Sequence, residues 1–169
     1  FTVVDIRQAL QPFIPSPAQT PGRMNLFQFQ NFQVLADYAH NPAGFTVLKA
    51  YVDKVHAPHK IGIIAGTGDR RDEDIRELGE MAASMFDEII IRQDKHLRGR
   101  TVENIVELLK EGIAKVKKEI SVTVILKELE AIDYAVKKAP KDSFIVICSD
   151  VITDALAYIQ KLKNDEDIQ

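Results

Sequence analysis

Two rhythms of apolar and polar positions alternate along most of the chain. Short runs, apolar nearly throughout, occur at Lys60 to Ala65, Asp87 to Ile91, Val122 to Leu126 and Phe144 to Cys148. Such runs predict strands buried on both faces. Between them apolar residues recur at helical spacing. Phe45, Leu48, Val52 and Val55 mark one helix, which Ala57-Pro58 ends; Ile75, Leu78, Met81, Ala82 and Met85 mark the next. Val102, Ile105, Leu108, Leu109 and Ile113 predict a helix from Thr101 to about Val116, and Leu129, Ile132, Ala135 and Val136 another. A last helix is expected over 151–162. Upstream, Arg23 to Gln30 alternates, and Asn31 offers a tight turn into Phe32 to Ala36, so a β-hairpin is predicted. Thr2 as an N-cap before Val3, Ile6 and Leu10 predicts a short amphipathic helix.

Strands alternating with helices imply a mostly parallel sheet covered on both faces. The expected fold is α/β, a Rossmann-like three-layer sandwich with an N-terminal β-hairpin. Right-handed crossovers put every strand-to-helix loop on the carboxyl edge of the sheet. Four loops then meet there: Asp37 to Pro42, Gly66 to Arg71, Arg92 to Arg100, and Ser149-Asp150. Ligands of open α/β sheets bind at that edge.

Proline breaks the rhythm near the start. Pro12, Pro15, Pro17 and Pro21 continue neither a helix nor a central strand. Residues 1–22 therefore read as the end of a preceding element and a linker, 23–163 as the domain, and 164–169 as a polar, acidic tail. At 169 residues and 46% apolar composition one core is expected. The net charge of −3 is well mixed, which gives no electrostatic footprint for nucleic acid. No apolar run approaches the ~20 residues of a membrane span, and no secretory leader is read at the start. The single cysteine, Cys148, sits in an apolar run and reads as a buried small hydrophobe, in keeping with a cytoplasmic protein. No Cys/His cluster has metal-ligand spacing.

The candidate chemistry lies in the loops. Asp37 and His40 flank a strand-to-helix turn, where a carboxylate and an imidazole hold hydroxyls, phosphates or a metal's water shell; equally, Asp37 caps the turn and His40 lies on the surface. Gly66-Thr67-Gly68-Asp69-Arg70-Arg71 matches neither a Walker loop nor a dinucleotide fingerprint. Its arginines stand beside a helix N-terminus, where a cation opposes the helix dipole. An anionic ligand offsets that opposition, and so does pairing with Asp69, Asp72, Glu73 or Asp74. Arg92 to Arg100 carries several cationic side chains, suited to reading a charged ligand or simply to facing water. Asp150 reads as a possible N-cap of the last helix.

Two stretches together resemble a known family. Pro21-Gly22-Arg23-Met24-Asn25 and Asp37-Tyr38-Ala39-His40-Asn41-Pro42-Ala43-Gly44 resemble the C-terminal domain of the Mur ligases. The run Gly68 to Gly79, with Leu97-Arg98-Gly99-Arg100, is similar to cyanophycin synthetases in particular, more than to the muramyl ligases of cell-wall synthesis. The resemblance covers about residues 3 to 160 and implies an ATP-dependent ligase. In that chemistry a carboxylate is activated as an acyl phosphate and an incoming amine forms the amide. A central domain carries the phosphate loop and the Mg2+ ligands, and the C-terminal domain closes over it. For the cyanophycin type the implied substrates are arginine and an aspartate-containing polymer.

Carried onto this sequence, the resemblance implies ATP contacts for Arg23, Asp37, His40 and Asn41. It implies substrate contacts for Arg70, Arg71, Asp94, Arg98 and Arg100, with Asp94 the expected partner of a guanidinium. Where the family has a Gly-Glu pair after Arg100, this chain has Glu103-Asn104. With no Walker loop present, the expectation is an excised part of a larger synthetase, inactive alone, whose main partner is the rest of its own polypeptide, with a homo-oligomer possible. A non-catalytic module binding a nucleotide or another anion is the alternative expectation.

Overall fold

The computed structural model describes residues 2–10, 16–94, 97–116 and 119–168. The first part of the proline-rich segment, 11–15, lies outside them, as do Lys95 and His96 of the charged loop. The strands are β1 Asn25–Gln28, β2 Phe32–Asp37, β3 Lys60–Ile64, β4 Glu88–Ile91, β5 Ser121–Val124 and β6 Ser143–Cys148. The helices are α1 Val3–Leu10, α2 Pro42–Val52, α3 Asp72–Met85, α4 Val102–Val116, α5 Glu128–Lys138 and α6 Ile152–Ile168.

The strands form one sheet in the order β1-β2-β6-β3-β4-β5. Only β1 and β2 pair antiparallel, as the hairpin pattern predicts. Alternation within each strand decides which layer a side chain joins. Leu35, Phe144 and Val146 pack with Phe45 and Leu48 of α2 and with apolar residues of α3 and α4. Val34, Ala36, Ile145 and Ile147 pack on the opposite face with Ala131 and Ile132 of α5 and Ala155 and Ile159 of α6. All six positions of β6 are buried. Cys148 is 3% exposed, and burial pushes its thiol up to about 12.

Two elements differ locally from the sequence expectations, and a third agrees with them. The helix continues through 164–168, where a polar tail was expected, and the Glu166 carboxylate there accepts the Gln30 N–H of the hairpin turn at 3.1 Å. β5 ends two residues before Leu126, although the chain stays beside the sheet: Ile125 N–H donates to the Ile91 carbonyl and Gln93 N–H to the Leu126 carbonyl. Helix α1 is capped as expected, with the Thr2 hydroxyl accepting the Asp5 N–H at 3.2 Å and the Asp5 carboxylate accepting the Thr2 N–H at 2.7 Å. Its apolar residues Val3, Val4 and Ile6 are exposed.

The sheet order sets the position of the site. β6, last in the chain, lies between β2 and β3. The chain leaves β2 and β3 toward one face and leaves β6 toward the other. The carboxyl ends of these three strands therefore flank a crevice, the usual place for a ligand in such sheets. No helix among the described residues is long and apolar enough to cross a membrane.

Candidate functional site at the carboxyl edge of the sheet

Asp37 ends β2 half-buried, and its carboxylate clamps two backbone donors, Met24 N–H at 2.9 Å and Ala39 N–H at 2.8 Å. Asn41 is the N-cap of α2, accepting the Gly44 N–H at 2.8 Å, with Pro42 in the first turn. His40 stands between them, its Nδ1 2.9 Å from the Tyr38 carbonyl. A carbonyl only accepts, so Nδ1 carries the proton and Nε2 is the acceptor, toward which Asn41 Nδ2 donates at 3.4 Å. The Thr67 hydroxyl donates to the His40 carbonyl at 3.3 Å and ties this turn to the next loop.

A buried asparagine delivers Arg23. Asn25 is fully buried; its Oδ1 accepts the Gly22 N–H at 2.7 Å and its Nδ2 donates to the Thr20 carbonyl at 3.0 Å. Gly22 has φ +74°, and a side chain there would run into Ile152. The tight turn sets the Arg23 guanidinium over the Tyr38 ring, 5.1 Å from its centroid.

The loop after β3 is held by the loop after β4. Arg100 donates to the Gly68 carbonyl at 3.1 Å and the Arg70 carbonyl at 2.8 Å, and pairs with Asp72 at 2.7 Å. The loops approach so closely at Gly68 that a Cβ there would overlap the Leu97 carbonyl. Arg98 pairs with Asp69. Arg71 faces solvent in a two-point pair with Asp74, which holds the Asp74 carboxyl below its usual range and raises the guanidinium. Pairing with neighbouring acids is thus what the sequence offered as the alternative to ligand binding, and Arg71 takes it.

Arg92 was expected only as one of several cations in the charged loop, facing either a ligand or water. It is 4% exposed. Its Nε and Nη2 donate to the Cys148 carbonyl at 3.1 and 2.7 Å, and its Nη1 to the Gln93 carbonyl at 3.0 Å. It also pairs with Asp150 at 2.8 Å and Glu128 at 3.2 Å. Burial pushes the Glu128 carboxyl above its usual range, and Arg92 works against that rise. Asp150 is therefore not the N-cap of α6: the helix begins at Ile152, and the carboxylate is turned to Arg92.

Three adjoining cavities open along this edge. One, of about 300 Å³, is lined by Arg23, Asp37, His40 and Asn41, with Tyr38 and the apolar wall of Val47 and Leu48. The second, of about 270 Å³, shares Tyr38 and His40 with it and adds Thr67, Arg70, Asp94 and Arg98. The third, of about 560 Å³, shares Asp94, Asp150 and Val151 with the second and continues past Arg92 and Lys127 to Glu128, Glu130 and Asp154 over Leu126 and Leu129. The structure thus brings together seven of the nine site residues read from the sequence. Arg71 and Arg100 line none of the three, the first turned outward and the second spent on loop backbone. Among the described residues no group of three His, Cys, Asp or Glu side chains is arranged to hold a metal ion.

The family model described as Mur ligase, glutamate ligase domain, matches residues 22–151. The chain belongs to this family. All the cavity-lining residues named above except Asp154 fall inside the part of this glutamate ligase domain that the family model matches. It is 43% identical over 156 residues to the cyanophycin synthetase of Geminocystis herdmanii strain PCC 6308, covering 92% of this chain and 18% of that protein. It is 40% identical over 159 residues to the cyanophycin synthetase of Nostoc sp. strain PCC 7120, covering 94% of this chain and 18% of that protein. The domain thus spans less than a fifth of the length of these relatives. Among solved structures, E. coli FolC in complex with DHPP and ADP superposes with a TM-score of 0.70 at 18% identity, over 96% of this chain and 35% of that one. At that identity the likeness shows the fold.

Proposed function

We propose that this domain is the closing C-terminal part of a cyanophycin-synthetase-like, ATP-dependent ligase, and that it presents an incoming arginine to an activated carboxylate of an aspartate-containing polymer. The observation that carries the reading is the pair of chambers of opposite character that share Asp94, Asp150 and Val151. Arg70 and Arg98 line one, which suits a carboxylate. In the other, Glu128, Glu130 and Asp154, with the shared Asp94 and Asp150, outnumber Arg92 and Lys127 above the apolar Leu126 and Leu129, which suits an alkyl chain ending in a guanidinium. Asp94, 6% exposed, stands where the two meet. The similarity to cyanophycin synthetases supports the same substrate class.

The third cavity in this set, beside Arg23 and Asp37, is assigned to ATP. Each Asp37 oxygen holds one backbone N–H and keeps a lone pair for a ribose hydroxyl. Arg23, which lies over the Tyr38 ring, is assigned to a phosphate, a reading its guanidinium supports. ATP supplies the phosphoryl group that activates the acceptor carboxylate. Mg2+ and the phosphate loop are assigned to a central domain of the longer polypeptide, since phosphoryl transfer needs metal and positioning that these residues do not provide. The domain alone is therefore assigned no ligase activity.

The test uses the full-length polypeptide with ATP and an aspartate-containing polymer, and compares arginine with citrulline, its uncharged isostere. Amide formation followed by mass spectrometry should be strong with arginine and poor with citrulline. Equal use of both would overturn the charge argument. Amide formation by residues 1–169 alone would overturn the assignment of the chemistry to two domains.

A further inference from the structure

Arg92 lies in the wall of the larger chamber but is only 4% exposed, and its partners frame the amino-acid chambers. β4 and β6 are not neighbours; β3 lies between them. Arg92 bridges all three. Its backbone N–H donates to the Ile64 carbonyl at the end of β3, and its side chain crosses to the Cys148 carbonyl at the end of β6. The same guanidinium holds Asp150, shared by the two chambers, and Glu128, the first residue of α5. Of these partners, none lines the cavity of Arg23 and Asp37. A lysine keeps the charge here but not the planar fork that reaches a carbonyl and two carboxylates at once.

We infer that Arg92 is a positioning residue for the incoming amino acid: by clasping Cys148, Asp150 and Glu128 it fixes the wall between the two chambers. The inference rests on the proposed function above, since it takes those chambers to be the amino-acid site. It separates recognition of the amine from recognition of the nucleotide, because the nucleotide cavity is built by the turn before β1 and the start of α2.

The experiment is steady-state kinetics of the full-length polypeptide carrying Arg92→Lys or, separately, Asp150→Asn, which keeps the shape of the side chain and removes its charge. Both variants should raise KM for arginine by about tenfold and leave KM for ATP within about twofold. Near-UV circular dichroism confirms that each is folded. A parallel rise in both KM values, or no rise in either variant, overturns the inference. If Arg92→Lys does not fold, Asp150→Asn decides by the same criteria, and failure of both to fold assigns Arg92 to stability alone and overturns it too. Unmutated polypeptide that forms no amide defeats the proposed function itself, and the inference with it. Activity with unmoved KM values defeats the inference only.

Discussion

Replacing Arg92 with methionine removes a charge that faces two half-hidden carboxylates while keeping most of the side-chain volume. Removing one partner of a buried ion pair costs about 3–5 kcal/mol, because the other charge stays behind unpaired. Glu128 and Asp150 keep 14% and 17% of their side-chain surface, so water reaches them and the lower end applies. The Cys148 carbonyl also loses its guanidinium donors, a further ~1 kcal/mol. Arg92→Met should therefore destabilise the domain by about 3–4 kcal/mol. Urea unfolding, with a slope of roughly 1–3 kcal/mol per molar, would show a midpoint lower by at least about 1 M. The pH dependence gives a second reading. Burial already raises the Glu128 carboxyl in the folded state, and removing Arg92 takes away the influence that opposes the rise. A folded-state value above the unfolded one means stability that is full below the ordinary carboxyl range and is lost as pH rises through the raised value. The deficit of the variant should thus be complete near pH ~7 and shrink toward pH ~4, where the Glu128 carboxyl protonates. A deficit below ~1 kcal/mol, or one unchanged on acidification, would refute the account of Arg92 as the counter-charge.

Three further outcomes are expected. Asn41→Ala removes the N-cap of α2 and should cost about 1 kcal/mol, read as a drop of roughly 2–4 °C in thermal midpoint. Asp37→Ala strands the Met24 and Ala39 N–H groups, should cost about 2 kcal/mol while leaving the domain folded, and in the full-length polypeptide should raise KM for ATP; a normal ATP requirement would remove Asp37 from the nucleotide site. Gly68→Ala forces apart the loops after β3 and β4, and should weaken use of arginine more than use of ATP; unchanged arginine kinetics would show that the Gly68–Leu97 approach does not shape the chambers.

The elements were legible because their periods are clean: most of the core-face positions read for α2, α3 and α4 are buried, while Met81 and Val102 are partly buried and Val55 falls beyond the end of α2. The convergence of distant loops followed from crossover handedness, and it places His40, Arg70 and Asp94 on one cavity. Strand order was not legible, since alternation of strands and helices fixes handedness but not sequence of neighbours. Arg92 was missed because an arginine directly after Ile89-Ile90-Ile91 reads as the start of a wet loop. The signal was present nonetheless in acids at two other element ends, Glu128 and Asp150, which become its partners once β6 is central. Arg70 and Arg71 differ by one position but diverge in role, because α3 starts at Asp72 and turns Arg71 toward Asp74. Such directions depend on where a helix begins to within a residue, which pattern alone does not resolve.

The central place of the final strand has a consequence for synthesis. Until Ser143–Cys148 leaves the ribosome, β2 and β3 lack the neighbour that joins them, so the hairpin with α2 and the β3-to-β5 half remain two open-edged pieces. The crevice closes only with that insertion, a late, long-range pairing of the kind that slows folding. A nascent chain stalled just short of it exposes two apolar strand borders, and so resembles a template for aggregation more than a partial enzyme.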